Sequence, residues 1–258
     1  MSDLLNLEQA PAGLGAALRN AGFEQLTAIQ RAVLEPELAD RDLRISSQTG
    51  SGKTVALGLL LAETVAGASA SNAPQQAPKS RVATPVALLI APTRELAGQL
   101  GRELGWLYEP LGARVLVVTG GTSVMQERTG LQRRPQVVIG TPGRLLDHLR
   151  AGAMKLDRLE TIALDEADEM LDMNFEEELD GILGYAPAER RTHLVSATFP
   201  REVLKLANRL QEEAVSVQGT ELGQANSDIV HVVMRVRQVD RFDAAINVLL
   251  RYPEDKSL

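Results

Sequence analysis

Short apolar runs alternate with segments of helical period through the middle of the chain. The runs VALLIAP (86–92), VLVVTGG (115–121), QVVIGTP (136–142), TIALDEA (161–167) and THLVSAT (192–198) each hold consecutive apolar residues and give way to Gly, Thr, Pro, Ser or Asp. Between them, RELAGQLGRELGWL (94–107) and GRLLDHLR (143–150) repeat their apolar positions at helical spacing. Strand-length apolar runs separated by amphipathic helices predict an α/β fold, with a mostly parallel sheet covered by helices on both faces. In such sheets ligands bind outside the carboxyl ends of the strands, where the small and polar residues that end each run collect.

The flanks read differently. Residues 11–39 predict two short helices, with Leu14, Ala17, Leu18 and Ala21 on one face, and GFEQLTAIQ (22–30) leads into the second. AGASASNAPQQAPKSRVATP (66–85) lacks an apolar period and is rich in Ala, Pro, Ser and Gln, so it predicts a surface loop. From residue 219 a linker (GTELGQANSD) is expected, then a strand in IVHVVMRV (229–236). A helix follows in DRFDAAINVLLRY (240–252), with Phe242, Ala245, Ile246, Leu249 and Leu250 on one face. The expected division is therefore residues 1–218 as one domain and 219–258 as a linker and the start of a second.

Composition narrows the chemistry. Among 258 residues there is no cysteine, which removes disulfides, thiolate metal sites and cysteine nucleophiles. His148, His193 and His231 are far apart in sequence and read as structural. No apolar run reaches the roughly 18 residues of a membrane span, and MSDLLNLEQA does not resemble a secretory signal, so a cytoplasmic protein with no membrane partner is expected. The net charge of −7 argues at first against a nucleic-acid partner. Yet DEADEMLDMNFEEELD (165–180) holds nine acids and no Lys or Arg, which leaves 27 basic against 25 acidic residues elsewhere. A phosphate-tracking face is compatible with that remainder, and NFEEELD reads as a solvated helix face.

Two stretches carry the chemistry. SSQTGSGKT (46–54) meets most of the P-loop pattern, a loop whose backbone N–H groups cradle phosphates at a helix N-terminus, with Ser47 standing where the strict pattern has its first glycine. Ser47, Gln48, Thr49, Gly50, Ser51, Gly52, Lys53 and Thr54 are thus candidate nucleotide-binding residues, with Lys53 on the β- and γ-phosphates and Thr54 on Mg²⁺. TIALDEADEM (161–170) drives an apolar strand straight into Asp165, Glu166, Asp168 and Glu169. Acids at a strand end opposite a P-loop suit a magnesium site, because the ion and Lys53 offset the repulsion. Asp165 is the expected metal partner, and Glu166 the group that would hold and deprotonate an attacking water. In Thr141-Pro142-Gly143-Arg144, threonine suits an N-cap and proline the first helical position.

Taken in order, GFEQLTAIQ, SSQTGSGKT, PTRELAGQ, GG, TPGR, DEAD and SAT resemble the successive motifs of the N-terminal half of a DEAD-box ATP-dependent RNA helicase, over residues 4–218. The resemblance implies a RecA-like P-loop NTPase domain that binds ATP and Mg²⁺. A second RecA-like domain would close on it around single-stranded RNA, bending the strand and prying a short duplex apart. It implies that Gln30 recognises adenine, with Phe23 and Thr27 in the same motif. RNA sugar–phosphate contacts would come from Pro92, Thr93, Arg94, Gly120, Gly121, Thr141, Gly143 and Arg144, and Ser196 and Thr198 would bond to Asp168. Two departures stand out. Leu26 occupies a position that is usually proline, and Leu4-Leu5 lies where an upstream aromatic normally stacks on the base, so looser adenine selectivity is expected. Trp106 and Tyr108 read as packing residues, and Asn174 as a left-handed position. A DNA-directed translocase and a degenerate NTPase scaffold are the alternatives; the presence of Lys53, Thr54, Asp165 and Glu166 counts against the scaffold. The chain alone is expected to be a monomer that binds nucleotide and turns it over feebly.

Overall fold

A computed structural model describes residues 7–46, 50–71, 82–218 and 234–251. Seven parallel strands, β1 (Leu43–Ser46), β2 (Ala87–Ile90), β3 (Val115–Val118), β4 (Val137–Gly140), β5 (Thr161–Asp165), β6 (Arg191–Ser196) and β7 (Val215–Gln218), form one sheet in the order β3-β4-β2-β5-β6-β1-β7. The helices are α1 (Gly15–Asn20), α2 (Ala28–Ala32), α3 (Lys53–Leu60), α4 (Ala62–Ser71), α5 (Arg94–Leu107), α6 (Val124–Gln132), α7 (Pro142–Arg150), α8 (Ala167–Asp172), α9 (Glu176–Leu183), α10 (Arg201–Leu210) and α11 (Arg241–Arg251). Residues 7–218 belong to one compact unit and 234–251 to another.

Because successive side chains leave a strand on opposite faces, each buried strand feeds two cores. In β2, Ala87 and Leu89 join a cluster with Ile45, Leu57, Leu100, Leu104 and Val195. Leu88 and Ile90 point the other way, to Leu145, Leu149, Ile162, Leu164, Ile182 and Leu206. This two-sided burial is why the sequence shows unbroken apolar runs rather than alternation.

All five strands expected from the apolar runs form. Strands β1 and β7 were not anticipated, since LRIS and VSVQ are short and interrupted by polar residues. Arg44 extends from β1 to Asn208 Oδ1 and Gln211 Oε1, at 2.8 and 2.9 Å, and β7 is an edge strand that exposes Ser216 and Gln218.

The loop expected over residues 66–85 needs correction at both ends. Helix α4 runs on to Ser71, burying Ala62, Val65 and Ala68 along one face; alanine favours helix, and its small side chain hid the period. At the other end, Ala83 is fully buried and bridges Met154. Residues 72–81 lie outside the described residues. So do Leu4-Leu5, His231, the linker and residues 229–233 of the expected strand, whose described remainder, Met234–Val236, is not in a strand. Helix α11 forms as expected and exposes Phe242, Ile246 and Leu250. Tyr108 is buried, and its hydroxyl donates to Gly58 O at 2.7 Å; Asn174 is left-handed at φ 58°. No single helix among the described residues is long and apolar enough to cross a membrane.

Candidate nucleotide and nucleic-acid sites

Strand β5 is buried along its whole length and ends at Asp165, and the chain then turns through Glu166 in the left-handed region (φ 52°, ψ 56°) before α8. A non-glycine residue held there costs on the order of 1–3 kcal/mol, a strain characteristic of functional turns. Its side chain meets the start of α3: Lys53 Nζ donates to Glu166 Oε1 at 2.8 Å. Both groups are largely withdrawn from water. Asp165 beside them is 8% exposed, and its carboxyl is pushed up to about 7, first by burial, then by the charge of Glu166, against the opposing pull of Lys53.

Gly50 and Gly52, at φ 84° and 88°, supply the left-handed turns that lead into α3. At Gly52 a side chain would also displace Gln30, because a Cβ would lie 2.4 Å from Gln30 Nε2. Gln30 is fully buried; its Oε1 accepts from Thr27 N at 2.9 Å, closing a capping box at α2, and its Nε2 donates to Gly52 O at 3.3 Å. The side-chain amide expected to read a base therefore also braces the glycine turn. Leu26 is buried, and its carbonyl accepts from Arg31 Nη1 at 2.8 Å.

Phe23, Thr27, Gln30, Gly50, Gly52, Lys53, Thr54, Asp165 and Glu166 line one cleft of about 360 Å³, and Ser51 sits within the same turn. Ser47, Gln48 and Thr49 lie outside the described residues. Sequence reasoning missed the opposite wall, Leu96, Gln99, Leu100 and Glu103 of α5, although their three- and four-residue spacing marks one helical face. Trp106 packs on Phe23, with ring centroids 5.9 Å apart. Thr54 and Asp165 offer hard oxygen ligands, and no group of three or more His, Cys, Asp or Glu among the described residues could hold a metal. These two oxygens are of the hard kind that suits magnesium.

The SAT segment behaves partly as expected. Thr198 Oγ1 donates to Asp168 Oδ2 at 3.0 Å, but Ser196 does not reach Asp168. Ser196 is buried at the end of β6, and its hydroxyl donates to Thr198 O at 2.6 Å, fixing the turn that presents Thr198.

The remaining predicted residues gather at the ends of β2, β3 and β4. Pro92 is buried, and Thr93 caps α5 by accepting from Leu96 N at 3.3 Å. Gly121 is left-handed at φ 80°, with Arg94 so close that a Cβ would lie 2.4 Å from its Nη1. Pro142 opens α7 as expected, and Thr141 stands at the N-cap, but its side chain makes no capping hydrogen bond. Gly143 follows in the first turn of α7. Arg144 is not a free cation: its Nη1 donates to Glu127 Oε2 at 2.7 Å. Glu127 was not singled out in the sequence, where one acid on an amphipathic helix carries no signal.

The DEAD/DEAH box helicase family model matches residues 27–206. The DEAD-box ATP-dependent RNA helicase CshA of Geobacillus kaustophilus is 36% identical over 241 residues, which cover 92% of this chain and 48% of that protein. The ATP-dependent RNA helicase DbpA of Escherichia coli is 39% identical over 202 residues, 78% of this chain and 41% of that one. The crystal structure of a DEAD box protein from Methanococcus jannaschii superposes with a TM-score of 0.71 at 30% identity, covering 92% of this chain and 61% of that chain. The chain spans about half the length of the curated relatives it matches.

Proposed function

Because the chain belongs to the DEAD/DEAH box helicase family, we propose that it is the nucleotide-binding half of an ATP-dependent RNA helicase. In this reading residues 1–218 form the N-terminal RecA-like domain, residues from 219 onward are the linker and start of a second, and the protein is cytoplasmic. The supporting observation is the convergence of Lys53, Thr54, Asp165 and Glu166 with the Gly50–Gly52 turn on one cleft. A triphosphate there would meet the N–H groups and positive dipole end of α3, an anion site that needs no overall positive charge.

Lys53 would exchange Glu166 for phosphate oxygens. The released carboxylate would then be free to accept a proton from an attacking water. Phe23 and the α5 wall would hold the base, with Gln30 presenting its amide edge while bracing Gly52. Thr54 and Asp165 would hold magnesium, which supplies positive charge against the phosphates. Arg94, the Gly120–Gly121 turn and the start of α7 would receive the RNA backbone, giving contacts of little sequence specificity. Asp168 and Thr198 link the carboxylate turn to the end of β6. Prying a duplex apart would require the second domain to close over both ligands.

Direct titration of this chain tests the reading. An adenine nucleotide with Mg²⁺ should bind with one site, single-stranded RNA should bind in preference to DNA of the same sequence, and ATP turnover by the chain alone should be slow. Failure to bind nucleotide, or strong RNA-stimulated turnover without a second domain, would contradict it.

A further inference from the structure

Glu127 is bonded from two sides, by the loop that follows β3 and by α7. Its Oε1 accepts from Thr119 N at 2.9 Å and from the Thr122 hydroxyl; its Oε2 accepts from Arg144 Nη1 and His148 Nε2, both at 2.7 Å. The residue is 5% exposed. Burial pushes its carboxyl up, but the bonds from Thr122, His148, Arg144 and Thr119 outweigh that and hold it below its ordinary value. A buried carboxylate bonded through both oxygens is held in one position, and it holds its partners in turn.

The partners lie on both sides of a seam. Thr119 directly follows β3 and Thr122 follows the Gly120–Gly121 turn, while Arg144 and His148 are one turn apart on α7. The Thr122 hydroxyl also lies 2.6 Å from Thr119 O, so its single hydrogen is shared between that carbonyl and Glu127 Oε1, and Arg144 Nη1 donates to Thr122 O at 3.4 Å. We propose that Glu127 is a positioning residue that locks the Gly120–Gly121 turn and the start of α7 into one unit, and that Arg144 acts chiefly within this lock rather than as an independent phosphate contact. The proposal rests on the RNA-binding reading of these loops for its consequence, but the lock itself is a property of the chain.

The test compares Glu127→Gln, Arg144→Ala and the double variant by hydrogen exchange and by binding of a labelled single-stranded RNA. An amide in place of the carboxylate turns a donor toward Arg144, so Glu127→Gln breaks the lock with little change of volume. Each single variant should speed exchange in both segments, 119–123 and 142–148, and weaken RNA binding about tenfold; the double variant should be little worse than either single one, as expected of residues acting as a unit. Adenine nucleotide affinity on the same samples reports whether the neighbouring site remains folded. Exchange confined to the substituted segment, or losses of RNA affinity that multiply, would overturn the proposal. Coupled exchange in a chain that never binds RNA would leave the lock standing and defeat the RNA reading instead.

Discussion

Lys53 Nζ and Glu166 Oε1 stand 2.8 Å apart, so the P-loop lysine and the second acid of the DEAD tetrad neutralise each other. A triphosphate must compete with Glu166 for that lysine, and binding and turnover should therefore respond oppositely at the two positions.

Lys53→Ala should weaken binding of an ATP analogue roughly ten- to hundredfold, the worth of about 1.5–3 kcal/mol for a hydrogen bond to a charged group. Glu166→Gln removes the competitor and a repelling charge, so the analogue should bind at least as tightly as to the parent chain. ATP turnover, measured with a second RecA-like domain present, should nonetheless fall by about 10²–10⁴, the usual worth of a general base. Equilibrium titration paired with steady-state hydrolysis checks both.

Gln30→Ala should destabilise the protein even with no nucleotide present. It leaves Thr27 N without its partner and Gly52 O with Ala56 N alone, at 2.9 Å, a loss of about 1–3 kcal/mol. Thermal unfolding without ligand should show a lower Tm; an unchanged Tm would mean that Gln30 serves the base alone.

The left-handed turn at Asn174 follows α8, and its N–H donates to Leu171 O at 2.9 Å. Asn174→Ala should cost about 1 kcal/mol and Asn174→Gly nothing, because alanine keeps the Cβ but lacks the short polar side chain that lets asparagine tolerate this region, whereas glycine has no Cβ. Denaturant midpoints of the two variants decide it.

His193 is buried on β6 with its Nδ1 unpartnered, and burial, aided by the charge of Arg191, pushes its pKa from 6.5 down to about 3. The folded protein thus keeps the ring neutral over a range in which the unfolded chain protonates it. Stability is full above about 6.5 and is lost as pH falls toward 3, by up to about 1.4 kcal/mol per pH unit from this group. His193→Gln should flatten the dependence of unfolding free energy on pH between 6 and 4 relative to the parent chain.

The parts legible in the sequence are those where a local pattern and a tertiary role coincide. Strand β5 runs apolar up to Asp165 because both of its faces are buried, and that burial is written in TIALDEA. Strand β1 shares the same environment, but Arg44 interrupts its run, and its partners Asn208 and Gln211 lie far along the chain. The candidate nucleotide cleft was legible on its P-loop and acidic sides and invisible on the α5 wall, whose residues double as an ordinary amphipathic face. Glu127 was hidden for the same reason: its role depends on Arg144 and His148 on a different helix, a relation no local spacing encodes.

The most direct test is a crystal structure of this chain with Mg²⁺ and a non-hydrolysable ATP analogue. The expected result places the triphosphate over Gly50–Thr54, with Lys53 turned from Glu166 onto phosphate oxygens and the ion between Thr54 and Asp165. A triphosphate bound elsewhere, or one bound with the Lys53–Glu166 pair still closed, would contradict the central claim.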